Sequence, residues 1–163
     1  MTQYPIFIDF ECSSPDEDGF PIAVCWSLPD GQVKTTLITP EDHWLNSNSH
    51  LFDDERVNLD DLMMHGVSAL EVIREMQGDI DQDVVYNDAL GEDEHWLEML
   101  FSAYEIEPSF RIESAPQLYT VGFESWMNMK QQWLEDQGLD NYQSETNVVA
   151  MLNLHQQLED QQY

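Results

Sequence analysis

The sequence predicts an α/β domain built on a mixed five-stranded sheet, its first three strands antiparallel and helices packed against it. Two patterns predict this. Three segments with strand character, separated by turn residues, fill the first forty positions. After position 68, short apolar runs alternate with helical patterns. The length is a third guide. The 163 residues, 42% hydrophobic and 11% aromatic, can bury one core. No repeat or long linker divides them, so residues 1–163 are expected to form a single domain.

Ile6-Phe7-Ile8-Asp9-Phe10-Glu11 is β-branched and aromatic and has the length of a buried strand. As the most apolar strand, it is expected at the centre of the sheet. Residues 12–19 read as a loop by composition. Residues 20–28 form the second strand around Ala23-Val24-Cys25-Trp26, and Pro29-Asp30-Gly31 supplies the turn. The third strand, 33–38, returns and stops at Pro40. Residues 41–61 are polar and irregular and read as a surface excursion. Ser68 is an N-cap, with Glu71 completing a capping box for a helix over 69–76. A short strand at 83–86 leads through a loop to an amphipathic helix over 94–104 that faces Trp96, Leu97, Leu100 and Phe101 inward. A last strand is expected at 110–112, and helices over 121–137 and 146–161. Trp126, Met129 and Trp133 lie at helical spacing and read as core.

The charge is extreme. Thirty-three Asp and Glu face five Lys and Arg, a formal net charge of −28. So few cations argue against a tight, nonspecific grip on a nucleic-acid backbone. The self-repulsion would be relieved by a salt-rich cell interior. Cys12 and Cys25 lack CxxC spacing and a His cluster, so neither a zinc site nor a disulfide framework is expected. No apolar run has transmembrane length and the N-terminus lacks a basic leader, which predicts a cytoplasmic protein without membrane attachment.

Asp9 and Glu11 are two apart in a strand and therefore share a face. Two acids at the end of a buried strand repel each other unless hydrated or bridged by a cation. Oxygen ligands suit a hard ion such as Mg²⁺ or Mn²⁺. Acids recur at other element ends. Asp93 opens a helix, and Asp160 follows His155 by five residues. Four carboxylates and one histidine are what two-metal phosphodiester hydrolysis requires. Two divalent ions about 3.5–4 Å apart clamp the attacking and leaving oxygens, and the histidine takes a proton from water.

These residues resemble a known group. Asp9-Phe10-Glu11 resembles the first motif of the DEDD superfamily of 3′–5′ exonucleases, which have a ribonuclease H-like fold. Asp93-Glu94-His95-Trp96-Leu97 resembles the second motif. His155-Gln156-Gln157-Leu158-Glu159-Asp160 resembles the third motif of the histidine-bearing branch. Gln157 stands where that motif has a small residue two positions after the His. His65-Gly66-Val67-Ser68 and Leu37-Ile38-Thr39-Pro40 are similar to segments between the first two motifs. The likeness runs along nearly the whole chain and is closest to small bacterial exonuclease-like proteins of unassigned substrate.

The resemblance implies that Asp9, Glu11, Asp93 and Asp160 hold two divalent ions, Mg²⁺ or Mn²⁺, and that His155 is the general base. Asp88, in the same loop as Asp93, is a rival for the second motif. Glu159 rivals Asp160, because it lies nearer the face of His155 on a regular helix. Phe10 and Cys12 would lie near substrate. The implied substrate is single-stranded DNA or RNA, or a short oligonucleotide, cut to nucleoside 5′-monophosphates; relatives such as ribonuclease T are homodimers. Two other readings stand beside it. One is another phosphodiesterase using the same site. The other is an acidic, weakly active or inactive binding protein on this scaffold that docks on a basic nucleic-acid-binding partner.

Overall fold

The first strand lies inside the sheet, where its apolar sequence places it. The computed structural model describes residues 3–45, 58–141 and 143–160. Strand β1 (Ile8–Cys12) pairs antiparallel with β2 (Pro21–Ser27), Asp9 opposite Cys25 and Phe10 opposite Val24. Strand β2 pairs antiparallel with β3 (Val33–Thr39). The outer edge of β3 carries a two-residue parallel strand, β4 (Val67–Ser68). On the other side of β1, a parallel bridge joins Phe7 to Tyr86, and the Tyr86 N–H donates to the Ile6 carbonyl at 2.9 Å. Tyr86 belongs to β5 (Val84–Asn87), which pairs parallel with β6 (Arg111–Ser114). The spatial order is β4-β3-β2-β1-β5-β6. The sheet is mixed, with its first three strands antiparallel. Its sixth strand, β4, is too short to leave a period-two signal in sequence.

Side-chain alternation sorts the strands into two cores. Ile8, Phe10, Ile22 and Val24 face a core with Val72, Ile73, Met76, Leu97 and Phe101. Those partners come from α2 (Ala69–Asp79) and α3 (Asp93–Ser102). Phe7 and Cys25 face the opposite core with Trp126, Val148, Met151 and Leu154. These come from α4 (Phe123–Asp136) and α5 (Ser144–Asp160). Helices thus cover both faces, as a sheet with parallel β1 and β5 at its centre requires.

Local rules account for most helix ends. Ser68 caps α2 by accepting the Glu71 N–H at 3.3 Å. The helix outruns its predicted end at 76. Its last residue, Asp79, accepts Trp26 Nε1 at 2.9 Å and pairs with Lys34 at 2.7 Å, which ties α2 to β2 and β3. Helix α1 (Leu59–His65) begins inside the stretch expected to be irregular, capped by Asn58, which accepts the Asp61 N–H. Most of that stretch, 46–57, lies outside the described residues. Gly66 joins α1 to β4 at a point where a Cβ would stand 2.3 Å from the Leu62 carbonyl oxygen and 2.7 Å from the Thr39 nitrogen. Only glycine fits there. The buried stripe of α4 is Trp126, Lys130 and Leu134, while Met129 and Trp133 are half-buried. No helix among the described residues is long and apolar enough to cross a membrane.

Candidate metal centre

Asp9 and Glu11 share the face of β1 that carries Phe7, as strand periodicity predicts, and α5 lies across that face. Their surroundings differ. Glu11 is half-buried, and its Oε2 accepts both the N–H (3.1 Å) and the hydroxyl (2.7 Å) of Ser144, the first residue of α5. Asp9 is buried, and its Oδ2 accepts a hydrogen bond from Asn147 Nδ2 at 3.0 Å.

The loop after β5 brings two more acids to Asp9. Asn87 Oδ1 accepts the Ala89 N–H and Asp88 Oδ1 accepts the Leu90 N–H, each at 3.0 Å, two overlapping side-chain turns. They hold Ala89 in the left-handed region (φ 64°), which costs a residue with a Cβ on the order of 1 kcal/mol. The loop ends at Asp93, the first residue of α3, where the helix dipole and unpaired N–H groups favour a carboxylate. Asp93 Oδ1 accepts the Phe10 N–H at 3.2 Å and Oδ2 accepts Asn87 Nδ2 at 3.1 Å. Carboxylate oxygens of Asp9, Asp88 and Asp93 all lie within 4.8 Å of one another, and all three residues are buried. The cluster sits beyond the carboxyl end of β5 against parallel β1, the region where ligands bind in open α/β sheets.

Burial and mutual repulsion make the cluster costly without a cation. Burial is the largest cause that raises Asp9 well above the usual carboxylate range, followed by the charges of Asp93 and Asp88. Burial likewise raises Asp93, to about 7. One internal cation relieves part of the strain. Lys130 of α4 places Nζ 2.9 Å from Asp88 Oδ2, and both side chains are almost fully buried (3% and 4% exposed). The donor set of carboxylate oxygens fits a hard divalent ion.

The structure brings together some of the residues expected from sequence and not others. Asp9 and Asp93 meet, and Asp88 joins Asp93 instead of replacing it. Glu11 is adjacent but held by Ser144. His155 lies eight residues beyond Asn147 on α5, about 12 Å along the helix axis. It is buried among the rings of Tyr4, Phe7 and Tyr119, with Nδ1 2.9 Å from the Tyr119 hydroxyl. Burial lowers the His155 pKa and raises that of Tyr119, and Nδ1 and the phenol share a hydrogen bond. Asp160 is exposed at the last residue of α5, about 20 Å along the helix from Asn147, and Glu159 is half-buried beside the His155 end. The Phe10 side chain is in the first core and contributes only its N–H to the site. Cys12 is half-buried against that core.

Sequence reasoning missed Lys130, Ser144 and Asn147. A signal for the last two exists. The expected third motif has a His, a small residue two positions on and an Asp five positions on. Tyr142, Ser144 and Asn147 have that spacing, with an amide in place of the acid. Lys130 is one of only five cations and stands four residues from both Trp126 and Leu134, on the apolar stripe of its helix.

A cleft of about 880 Å³ opens beside Asp93. Asp16, Glu17, Glu92, Glu94, Glu98 and Glu113 line it together with His95.

No protein-family model and no curated protein matches the chain. Solved structures do. Exonuclease I of E. coli, in complex with a dA16 oligonucleotide, matches with a TM-score of 0.65 and 8% identity over 91% of this chain and 39% of that one. The zinc-bound form of an E. coli exonuclease I–single-stranded DNA complex matches at 0.63, with 10% identity over 96% and 40%. A chain in the structure of the yeast NOT1 MIF4G domain co-crystallised with CAF1 matches at 0.58, with 12% identity over 95% and 80%. The chain spans about two fifths of the exonuclease I chains it matches. At these identities the likeness concerns the fold alone, a ribonuclease H-like mixed sheet with helices on both faces.

Proposed function

We propose that residues 1–163 act as one exonuclease-like domain, a metal-dependent nuclease that shortens single-stranded DNA, RNA or short oligonucleotides from the 3′ end. The carrying observation is the buried cluster of Asp9, Asp88 and Asp93, three carboxylates whose proximity is unfavourable without a cation. The fold supports this reading, since exonuclease I of similar architecture was crystallised with DNA and, in one form, with zinc. Mg²⁺ or Mn²⁺ suits the all-oxygen donors. Such an ion would polarise a phosphodiester and ease the ionisation of water. The chain's own contribution is orientation. Asn87 and the Phe10 N–H fix the Asp93 carboxylate, and Ser144 fixes Glu11 at the rim. Assignment to the histidine-bearing branch rests on spacing alone. His155 would reach the cluster only if α5 moved by about two turns.

The second reading, an acidic binding protein with little or no activity, is favoured by the acidic lining of the cleft, which repels a phosphate backbone and suits a basic partner. One assay separates the two. The purified chain and Asp9→Asn are incubated with 5′-labelled single-stranded DNA or RNA, with Mn²⁺ or with EDTA. Stepwise, metal-dependent shortening that Asp9→Asn abolishes supports the nuclease. No cleavage under any metal, with capture of a basic protein, supports the binding protein.

A further inference from the structure

We infer that Lys130 is a resident cation of this centre: its ammonium occupies one of the two ion positions, so the chain binds one divalent ion fewer than it would without it. The inference rests on the metal-binding reading above and concerns how that site is filled.

Each oxygen of Asp88 already accepts one donor. Oδ1 takes the Leu90 N–H and Oδ2 takes the Lys130 ammonium. Charge balance points the same way. Three buried carboxylates and one buried ammonium leave two negative charges, which one divalent ion neutralises. Two ions added to Lys130 would bury an excess of positive charge, as unfavourable as the excess it replaced. Within the cluster, Asp9 and Asp93 have no ionic partner among the described residues. The amide of Asn147 rests on Asp9, and its Oδ1 is buried with no hydrogen-bond partner among the described residues. A neutral acceptor left unsatisfied in a buried site is costly unless a donor or cation reaches it. Asn147 therefore offers an oxygen beside Asp9 without adding the charge that a second ion would need. Lys130 itself occupies the apolar stripe of α4, between Trp126 and Leu134, where lysine is rarely found unless paired.

The test counts bound Mn²⁺. The EDTA-stripped chain, Lys130→Gln and Lys130→Arg are titrated with Mn²⁺, the free ion followed by electron paramagnetic resonance and the heat by calorimetry. The glutamine retains a donor for Asp88 without the charge. The inference expects Lys130→Gln to bind one more Mn²⁺ per chain than the natural chain, and Lys130→Arg to bind the same number. Equal counts in Lys130→Gln and the natural chain overturn it, as does a count of two in the natural chain. A count of zero rising to one in Lys130→Gln supports the inference while refuting a metal-dependent natural enzyme, so the two failures are told apart. Should Lys130→Gln not fold, Mn²⁺-soaked crystals of the natural chain decide. Two anomalous peaks among Asp9, Asp88 and Asp93 overturn the inference; a single peak, about 4 Å from Lys130 Nζ as paired ions are spaced, supports it.

Discussion

The contact of α5 with β1 and the residues just before it has two ends of opposite character. At one end Asp9 and Glu11 meet Asn147 and Ser144, and two further acids and a lysine converge from other segments. At the other, Tyr4 and Phe7 meet His155, with Tyr119 closing the group. The first end holds like charges in close quarters and pulls toward a cation. The second sets an imidazole against a phenol, 2.9 Å apart, inside an aromatic nest. A histidine that looks catalytic by spacing is thus a packed core residue in this structure, and the helix it shares with the site delivers an amide and a hydroxyl there instead.

The contrast can be broken most directly at Lys130. Lys130→Met is expected to destabilise the chain by about 3–5 kcal/mol in EDTA, because it strands Asp88 as a buried unpaired charge. Urea unfolding measures it, and a loss under 1 kcal/mol would mean that Asp88 is hydrated. On the nuclease reading, Asp93→Asn should lower the rate of oligonucleotide shortening at least about 100-fold, since a metal ligand matters no less than the groups that orient one. His155→Ala should stay within a few-fold of the natural chain once stability is matched. A collapse in His155→Ala would place the two ends in one site after all. The pH dependence is smaller. Asp93 titrates near 7 when folded against 3.8 as a free side chain, and Asp9 is shifted the same way. A raised carboxyl pKa contributes stability that is whole below the unfolded value and lost as pH climbs through the folded one. The metal-free chain should therefore lose on the order of 3 kcal/mol between pH 4 and 7. Melting curves of Asp93→Asn should show a shallower slope, which separates this effect from the general repulsion of a chain at −28.

Much of the fold is legible in sequence, for identifiable reasons. The antiparallel meander follows from alternation and the Pro29-Asp30-Gly31 turn, and the start of α2 follows from Ser68 and Glu71. Strand β4 is not legible because two residues carry no period. At the site, Asp9 and Asp93 stand out because one follows the most apolar run of the chain and the other opens a helix. Choosing between Asp88 and Asp93 is beyond a linear pattern, since the left-handed turn at Ala89 brings both inward. Lys130 and Asp88 are 42 positions apart, and nothing local joins them. A search for acids passes over Asn147 because its role depends on an amide.

The hydrogen bond from the Phe10 N–H to Asp93 gives the sheet an unusual seam. Beyond Tyr86, β5 leaves the edge of β1, and the Asp93 carboxylate takes the place of a neighbouring strand's carbonyl. The side chain expected to respond to a cation is therefore part of the backbone pairing, and the Phe10 amide becomes an internal reporter. Adding Mg²⁺ to ¹⁵N-labelled protein should move the Phe10 amide resonance and change its deuterium exchange before any distant strand responds. Amides in the aromatic nest around His155 should stay where they were, which lets one spectrum report the filling of the centre without any substrate.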